Sequence, residues 1–477
     1  MSELCEKSAR ELRALIGSGD VSPVEVLESC IGRIEQTNPT LNAVVATCYD
    51  RAREEAKLAE NRVRAGEDLP SLHGLPVGIK DLNETEGLRT THGSVLYADH
   101  VPAADEALVA RLRDAGAIIV GKTNTPEFGA GAHTDNRVYG ATLNPFDLTC
   151  TPGGSSGGSA VALAAGMLPL CHGSDTGGSL RNPATWCGVV GFRPTPGLVP
   201  RETRSVGYTH FSTQGPMARD VRDAALFMTG LAGDDGRDPL AHPVDPSSFS
   251  APPAVDLGSL RVGWSVDLGV APVDDIIRDA FTNTVGAVAG AFKSCTEVTP
   301  DFADARDVFW VLRCVYYLAN HAERYERHRD LLAPNVVANV EAGLKMSLAE
   351  VGAAEKGWAR IYRDFQTVFS EVDLLLVPGD ARSPFKAADG PPKVVGGRKM
   401  ANYMDASLVR SALTLTGHPV VAVPAGRDAD AMPFGIQVVG PRRGDSFLLG
   451  AAAALEDHLA TVPGLERPIP DIEDYRT

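Results

Sequence analysis

The chain has 477 residues, of which 44% are hydrophobic and 22% charged, and its formal net charge is −16. This balance is that of a globular protein and excludes a disordered or fibrous chain. The acidic charge excludes the overall basic surface typical of proteins that bind nucleic acids or anionic membranes, so we expect no nucleic-acid partner and no membrane partner.

The cysteines and the apolar stretches indicate the cellular compartment of the protein. Eight scattered cysteines without a Cys-x-x-Cys pair are too few for a disulfide scaffold in a chain of this length. Residues 1–13 lack the apolar core of a signal peptide, and the most apolar stretch, residues 160–171, is shorter than the about 20 residues that span a bilayer. The sequence thus predicts a cytoplasmic protein, which we expect to be a monomer or a homodimer.

The first 70 residues are predicted to form an N-terminal helical segment. Residues 22–25 (SPVE) form a capping box with proline at the first helical position, and apolar residues follow at helical spacing. The Asn38-Pro39 pair is expected to end that helix.

From residue 74 onward, short β-rich runs alternate with helical ones. The runs at 76–80, 117–120 and 167–170 are predicted strands, and residues 107–113 are a predicted helix. Further along, the pattern predicts helices over 303–370, a buried strand at 372–378, a surface loop at 384–398, strands at 420–423 and 435–439, and a helix near 446–460. Such alternation predicts an α/β fold around a largely buried sheet, and strands near both ends of the chain favour a single domain, residues 1–477.

One motif suggests a nucleotide site that the residues do not favour. Residues 116–123 (GAIIVGKT) match the phosphate-loop pattern G-x-x-x-x-G-K-[ST]. Their four middle residues are apolar and Pro126 follows closely, so we predict a strand that ends in a structural Lys122. The eleven histidines are scattered and show no His-Glu-x-x-His motif. We therefore expect neither a metal nor another cofactor.

Three segments form a candidate active site. Residues 153–159 (GGSSGGS) are a Gly/Ser loop that leads into a helix of small residues, residues 173–181 (GSDTGGSLR) follow a predicted strand, and Lys80 lies at the end of the apolar segment 74–81 (GLPVGIKD). In the second segment, we expect successive backbone N–H groups to converge on a developing oxyanion: those of Thr176, Gly177, Gly178 and Ser179.

At their mutual spacing these motifs resemble the amidase signature family, and the likeness extends from about residue 8 to residue 456. The resemblance implies a central mixed β-sheet covered by helices on both faces, with residues 71–220 as the signature core. It also implies a Ser–cis-Ser–Lys triad, in which Ser179 is the nucleophile, Ser155 the bridging serine at a cis peptide, and Lys80 the base. Three neighbours are expected to support the triad: Ser156, Asp175 and Arg181.

The implied chemistry requires an uncharged lysine. A free lysine has a pKa of about 10.4, so a base that works at about pH 7–8 needs that pKa lowered by roughly 2–3 units. We expect Val77 and Ile79 to help by desolvating Lys80. Neutral Lys80 would then take a proton from Ser155 as Ser155 takes one from Ser179, and an acyl-enzyme would form on Ser179.

Two other functions stay open. The glutamine-hydrolysing subunit of the tRNA-dependent amidotransferase typically carries Lys-Pro-Thr-Tyr-Gly after the nucleophile and Ser-Ser-Leu-Asp-Gln-x-Gly-Pro further on. This chain has FRPTPG at 192–197 and HFSTQGP at 210–216, which favours a stand-alone hydrolase. A non-catalytic binding homologue is disfavoured because all three triad residue types are present.

The substrate prediction depends mainly on Gly129. Members of the family that act on lipid amides carry a bulky residue there, so glycine would leave room beside Ser179 for bulky or aryl amides, anilides and carbamates; alternatively, Gly129 serves only a turn. The small-molecule amide or carbamate is expected to contact Phe128, Gly129 and Gly154, with the variable region 300–410 supplying further contacts such as Tyr316, Tyr317 and Tyr403.

Overall fold

The computed structural model describes residues 4–475 of the chain. Its helices in this range are α1 (Ala9–Ser18), α2 (Pro23–Leu41), α3 (Tyr49–Arg64), α4 (Ala107–Asp114), α5 (Gly157–Ala164), α6 (Arg181–Trp186), α7 (Val221–Leu231), α8 (Asp275–Val288), α9 (Ala305–His328), α10 (Pro334–Lys345), α11 (Leu348–Glu371), α12 (Leu408–Thr416) and α13 (Asp445–Leu459). Its strands there are β1 (Val44–Thr47), β2 (Pro76–Lys80), β3 (Ile118–Thr123), β4 (Leu170–Asp175), β5 (Val190–Arg193), β6 (Thr213–Ala218), β7 (Arg261–Trp264), β8 (Ser294–Glu297), β9 (Leu374–Pro378), β10 (Val394–Val395), β11 (Arg398–Lys399), β12 (Val420–Arg427) and β13 (Pro433–Val439).

One mixed sheet joins eleven of these strands, in the order β1-β3-β2-β4-β6-β5-β12-β13-β9-β7-β8. Strands β3, β2 and β4 are parallel neighbours, and so are β8, β7 and β9. The remaining neighbours pair antiparallel. Strands from both halves of the sequence therefore share one sheet, as the strand signals near both ends of the chain predict.

Helices cover both faces of this sheet, and the strand side chains alternate between them. Leu170 belongs to one buried apolar cluster and Cys171 to the other. The first cluster includes residues of α7 and α13, and the second includes residues of α5. Since Val77 and Ile79 point into the first cluster, the alternation places Lys80 on the face covered by α5.

The N-terminal segment is helical except for strand β1, which the sequence pattern did not predict. The predicted capping box opens α2, where the Ser22 hydroxyl accepts from the Glu25 N–H. The predicted end of α2 is wrong: Pro39 lies in its last turn and Asn42 caps it, because a proline there removes only a final hydrogen bond. Strand β1 pairs with β3 and brings this segment into the sheet.

Most of the other predicted elements are confirmed. Residues 303–370 form the three helices α9, α10 and α11, and the late strands and the last helix lie where they are expected. The run at 167–170 is wrong as a strand, because only Leu170 belongs to β4, which continues to Asp175. The loop at 384–398 contains the start of a short hairpin, β10 with β11. Between residues 4 and 475, no helix is both long and apolar enough to cross a membrane.

Candidate active site

Lys80 is the last residue of β2 and is completely buried. Its Nζ lies 2.7 Å from the Ser155 Oγ, 2.8 Å from the Ser156 Oγ and 3.0 Å from the Ser174 Oγ. The amine is thus surrounded by hydroxyl groups, and in the described part of the chain no carboxylate oxygen lies within salt-bridge distance of it. Hydroxyl groups can accept from an ammonium or donate to a neutral amine, so this setting permits either charge state.

Burial controls the charge of this lysine. It lowers the pKa of Lys80 to about 7, although the carboxylate of Asp175 opposes the shift. Val77 and Ile79, which are expected to help desolvate Lys80, are fully buried beside it in β2, and their contribution to its burial stays a prediction. The Gly/Ser loop also covers Lys80, since Ser155 and Ser156 contact its amine.

The Gly/Ser loop brings two serines to Lys80. The peptide bond between Gly154 and Ser155 is cis. The Gly154 N–H donates to the Asn182 side chain at 2.8 Å, which holds the loop against α6. Ser156 precedes α5, but its hydroxyl does not cap that helix. It contacts Lys80 and accepts from the Ser174 N–H at 3.3 Å, so Ser156 supports the lysine as expected.

Ser179 lies in the turn between β4 and α6, close to this group. Its carbonyl accepts from the Ser156 N–H at 3.3 Å, which joins the two loops. The side chain is partly exposed and lines a cavity together with Ser155. Within residues 4–475 its hydroxyl makes no hydrogen bond, whereas that of Ser155 is held by Lys80. The structure therefore brings the three predicted triad residues to one place and leaves the Ser179 hydroxyl open to the cavity.

Asp175 organises the turn that contains Ser179. Its carboxylate accepts from the Gly178 N–H at 2.8 Å and the Leu180 N–H at 3.2 Å, and it pairs with Arg181 at 3.0 Å and Arg193 at 3.2 Å. Burial raises the pKa of Asp175, but the two guanidinium groups outweigh it and hold that pKa well below its usual range. Asp175 and Arg181 thus support the turn, and Arg193 is a further support that the motifs did not single out.

The predicted oxyanion donors need one correction. The Gly178 N–H is directed to Asp175 and is not available to a substrate. Gly178 has a φ of +110°, and a Cβ there would lie 2.7 Å from Arg410, so glycine is required by the backbone. In the described structure the N–H groups of Thr176, Gly177 and Ser179 have no protein acceptor and remain as candidates.

Ser174 is a site residue that the sequence analysis missed. It is the penultimate residue of β4, and its hydroxyl lies 3.0 Å from Lys80 while its carbonyl lies 3.5 Å away. A signal was present, because Ser174 falls inside the 173–181 motif directly before Asp175. Its distance from Lys80 depended on the pairing of β2 with β4, which a linear motif does not specify.

Replacing Ser174 with alanine is expected to lower kcat by about tenfold, because Lys80 loses one hydrogen-bond partner of about 1–1.5 kcal/mol. A hydroxyl stabilises an ammonium more than an amine, so the pKa of Lys80 should fall and the pH profile of kcat/KM should move to lower pH. Ser294→Ala, an exposed serine of β8 in the same sheet, is the matched control. A profile for Ser174→Ala that coincides with that of the control would contradict this role.

Ser179 lines two cavities, and a third cavity lies next to one of them. The first, about 330 Å³, is lined by Ser155, Ser179 and the predicted pocket residues Phe128 and Gly129. A narrow one of about 20 Å³ also reaches Ser179 and is lined by Gly154. A second large one, about 660 Å³, shares Gly131, Ala132 and Tyr403 with the narrow cavity. Ser179 thus lines the first cavity and the narrow one, and the narrow one shares part of its wall with the second large cavity.

The residues predicted as pocket contacts line different cavities. Tyr316 and Tyr317 line the first cavity, and Tyr403 lines the other two. Gly129 has a φ of +72°, and a Cβ there would lie 3.2 Å from the Ser155 Oγ. Glycine at this position therefore serves both the turn and the space beside the serines.

Lys122 takes no part in this site. It lies within β3, whose residues are all buried, and its Nζ bonds the Asn83 carbonyl and the Thr85 hydroxyl. The prediction of a strand in place of a phosphate loop is confirmed. Between residues 4 and 475 no group of three or more His, Cys, Asp or Glu side chains is arranged to hold a metal ion.

Comparisons with known proteins agree on one family. The model of the Amidase family matches residues 25–449. An acylamidase of Rhodococcus erythropolis is 33% identical over 94% of each chain, and a subunit of the glutamyl-tRNA(Gln) amidotransferase of Thermobifida fusca is 34% identical over 96% of each. The crystal structure of a bacterial aryl acylamidase of the amidase signature family has a TM-score of 0.88 at 31% identity, covering 96% of this chain and 99% of that one.

Proposed function

Since the chain belongs to the amidase signature family and is an amidase, a hydrolase that acts on amides, we propose that it cleaves small-molecule amides through an acyl-enzyme on Ser179. Lys80 is the base, and Ser155 passes the proton between Ser179 and Lys80. The observation that supports this most strongly is the buried Lys80 amine, 2.7 Å from the Ser155 hydroxyl.

The proton follows the order of these contacts. Neutral Lys80 takes a proton from Ser155, and Ser155 takes one from Ser179 as the Ser179 Oγ bonds the amide carbon. Catalytic hydrogen bonds often tighten only when substrate binds, and we expect the Ser155–Ser179 contact to form then. The relay reverses to protonate the nitrogen as the C–N bond breaks. Water then releases the acyl group by the same path.

The turn that holds Ser179 supplies the electrostatic part of the mechanism. The carbonyl oxygen becomes negative as Ser179 adds, and donors fixed in advance stabilise that charge. Within the described residues, the N–H groups of Thr176, Gly177 and Ser179 have no protein acceptor. Asp175 fixes the turn by its bonds to Gly178 and Arg181, so little reorganisation is needed at the moment of reaction.

The two large cavities near Ser179 favour a substrate with a group on each side of the scissile bond. Ser179 lines the 330 Å³ cavity, and the 660 Å³ cavity shares lining residues with the narrow one that reaches Ser179. Both volumes lie within the range of small-molecule sites, about 300–1,000 Å³. Aryl amides, anilides and aryl carbamates have this shape, and the aryl acylamidase relative agrees with it. A carbamate undergoes the same acyl transfer as an amide.

A panel of anilides, primary amides, aryl carbamates and glutamine tests this function. We expect release of aniline or phenol, and intact-protein mass spectrometry followed by peptide mapping should show the acyl mass on a peptide that contains Ser179. Turnover without any Ser179 adduct under rapid quenching, or an adduct on another residue, would contradict the proposal.

Glutamine hydrolysis is the second candidate, since a subunit of a glutamyl-tRNA(Gln) amidotransferase is 34% identical to this chain. The segments 192–197 and 210–216 depart from the glutamine-using pattern. We therefore expect kcat/KM for glutamine to be lower than for the anilides by at least one order of magnitude. The opposite ranking in the same panel would favour the amidotransferase function.

A further inference from the structure

The first cavity contains two arginines that the proposed mechanism does not use. Arg201 lies in the segment between β5 and β6, and Arg324 lies in α9. Both line the same 330 Å³ cavity as Ser179 and Ser155. In the described part of the chain, neither guanidinium has a carboxylate oxygen within salt-bridge distance. Burial opposes the charge of Arg201, but the nearby Tyr316, Glu106 and Asp238 together raise its pKa without a salt bridge. Desolvating a cation is costly unless it is paired, so a ligand that pairs with it is favoured.

Arg201 is bound only by hydroxyl groups. Its Nη1 donates to the Ser212 Oγ at 2.8 Å and to the Tyr316 Oη at 3.2 Å, and its Nε donates to the Thr203 Oγ1 at 3.3 Å. Its Nη2 has no protein acceptor in the described structure. Its own backbone N–H donates to Asp238 at 2.9 Å, which fixes the segment. The guanidinium is therefore held in place with donors left over.

Arg324 is held in a comparable way. Its Nε donates to the Tyr97 Oη at 2.9 Å and its Nη1 to the Asn320 carbonyl at 2.6 Å. Its guanidinium also lies over the rings of Tyr97 and Phe128, at 5.5 and 5.2 Å from their centroids. Like Arg201, it has an Nη2 without a protein acceptor in the described residues. Tyr316, Asn320 and Arg324 are four residues apart on α9 and so share one face of that helix.

The carboxylates on the cavity wall already have partners. Glu84 accepts from His92 at 2.9 Å and from His100 at 2.8 Å. Glu106 accepts from the Asn83 amide at 2.7 Å. Glu84 and Glu106 line the same cavity as the two arginines, but each guanidinium keeps an Nη2 without a protein acceptor in the described residues. A carboxylate of the ligand is the strongest acceptor for such donors.

We propose that this cavity receives a carboxylate of the substrate, so that the preferred substrates are small amides or carbamates that carry a carboxylate away from the scissile bond. Arg201 and Arg324 bind that carboxylate. This inference rests on the proposed function, because it assigns a substrate class to the same cavity. The guanidinium fork matches a carboxylate with two parallel hydrogen bonds.

Two matched substrate pairs test the proposal. Succinanilic acid is compared with butyranilide, which has a methyl group in place of the carboxylate, and 4-acetamidobenzoic acid is compared with acetanilide. We expect kcat/KM to be about 10- to 100-fold higher for the carboxylate in at least one pair, mainly through KM. Equal or lower values for the carboxylates in both pairs would overturn the inference while leaving the amidase function intact.

Arginine variants locate the effect. Arg201→Gln and Arg324→Gln should each reduce the preference, and the double variant should abolish it, whereas Arg201→Lys should retain part of it because the charge remains. The matched control is Arg327→Gln, which removes an exposed arginine of α9 that pairs with Glu323. A preference that survives in a folded double variant would overturn the assignment of these arginines.

A binding measurement separates this inference from the proposed function. Calorimetric titration of Ser179→Ala with succinanilic acid and butyranilide compares affinities without turnover. Tighter binding of the acid supports the carboxylate site even if neither compound is cleaved by the native protein, an outcome that would count against the proposed function alone. Equal binding of the two compounds would overturn the carboxylate site.

Discussion

Replacing Ser179 with alanine is expected to abolish amide hydrolysis, with kcat reduced on the order of 10⁶-fold. The variant lacks the oxygen that bonds the amide carbon, so the acyl-enzyme cannot form. Aniline release from an anilide measures the loss, and mass spectrometry should show that the acyl adduct is absent.

The fold of this variant should be unaffected. Since the Ser179 hydroxyl makes no hydrogen bond within the described structure, its removal should change the free energy of unfolding by no more than about 0.5 kcal/mol. A thermal unfolding curve that matches that of the native protein is the control. Substantial activity in such a folded variant would place the nucleophile elsewhere.

Replacing Lys80 with methionine is expected to lower kcat by about 10²- to 10⁴-fold, the usual contribution of a general base. Methionine keeps most of the side-chain volume in a fully buried position but cannot accept a proton. In the native protein the pKa of Lys80 is lowered to about 7. The rate should therefore rise with pH through about 7 and level off above it, as the amine becomes neutral, and the variant should lose this inflection.

Stability gives an independent check on the same amine. An unfolded chain binds the lysine proton up to about pH 10.4, whereas in the folded protein burial lowers the pKa of Lys80 to about 7. Between these values the unfolded state holds more protons, so this lysine makes the free energy of unfolding rise with pH. The slope over this window, measured by urea denaturation, should be smaller in Lys80→Met. Identical slopes in the two proteins would mean that Lys80 is charged when folded.

The residues of the candidate site were predictable because they lie in short, contiguous motifs. Lys80, Ser155 and Ser179 each belong to a segment rich in glycine or next to a buried strand, and their side chains lie together. A single sheet was predictable from strand signals at both ends of the chain, and the family resemblance implied that it is mixed, but its strand order was not predictable. Strand β1 was missed because four residues between two helices give little periodicity.

The site predictions that were wrong or incomplete depend on contacts between segments that are distant in the sequence or on side chains that fold back onto the backbone. The Gly178 N–H was assigned to the oxyanion, but the Asp175 side chain folds back to accept it. Ser174 and Arg193 depend on which strands are neighbours, and a single sequence does not specify this.

The proposed mechanism requires that Lys80 is uncharged when the enzyme works. The direct measurement is an NMR titration of the lysine ¹³Cε resonances in the native protein and in Lys80→Met, which assigns the signal and separates it from that of the buried Lys122. We predict one resonance that titrates near pH 7 and is missing in the variant. A Lys80 signal that stays that of an ammonium throughout the pH range of activity would contradict the mechanism.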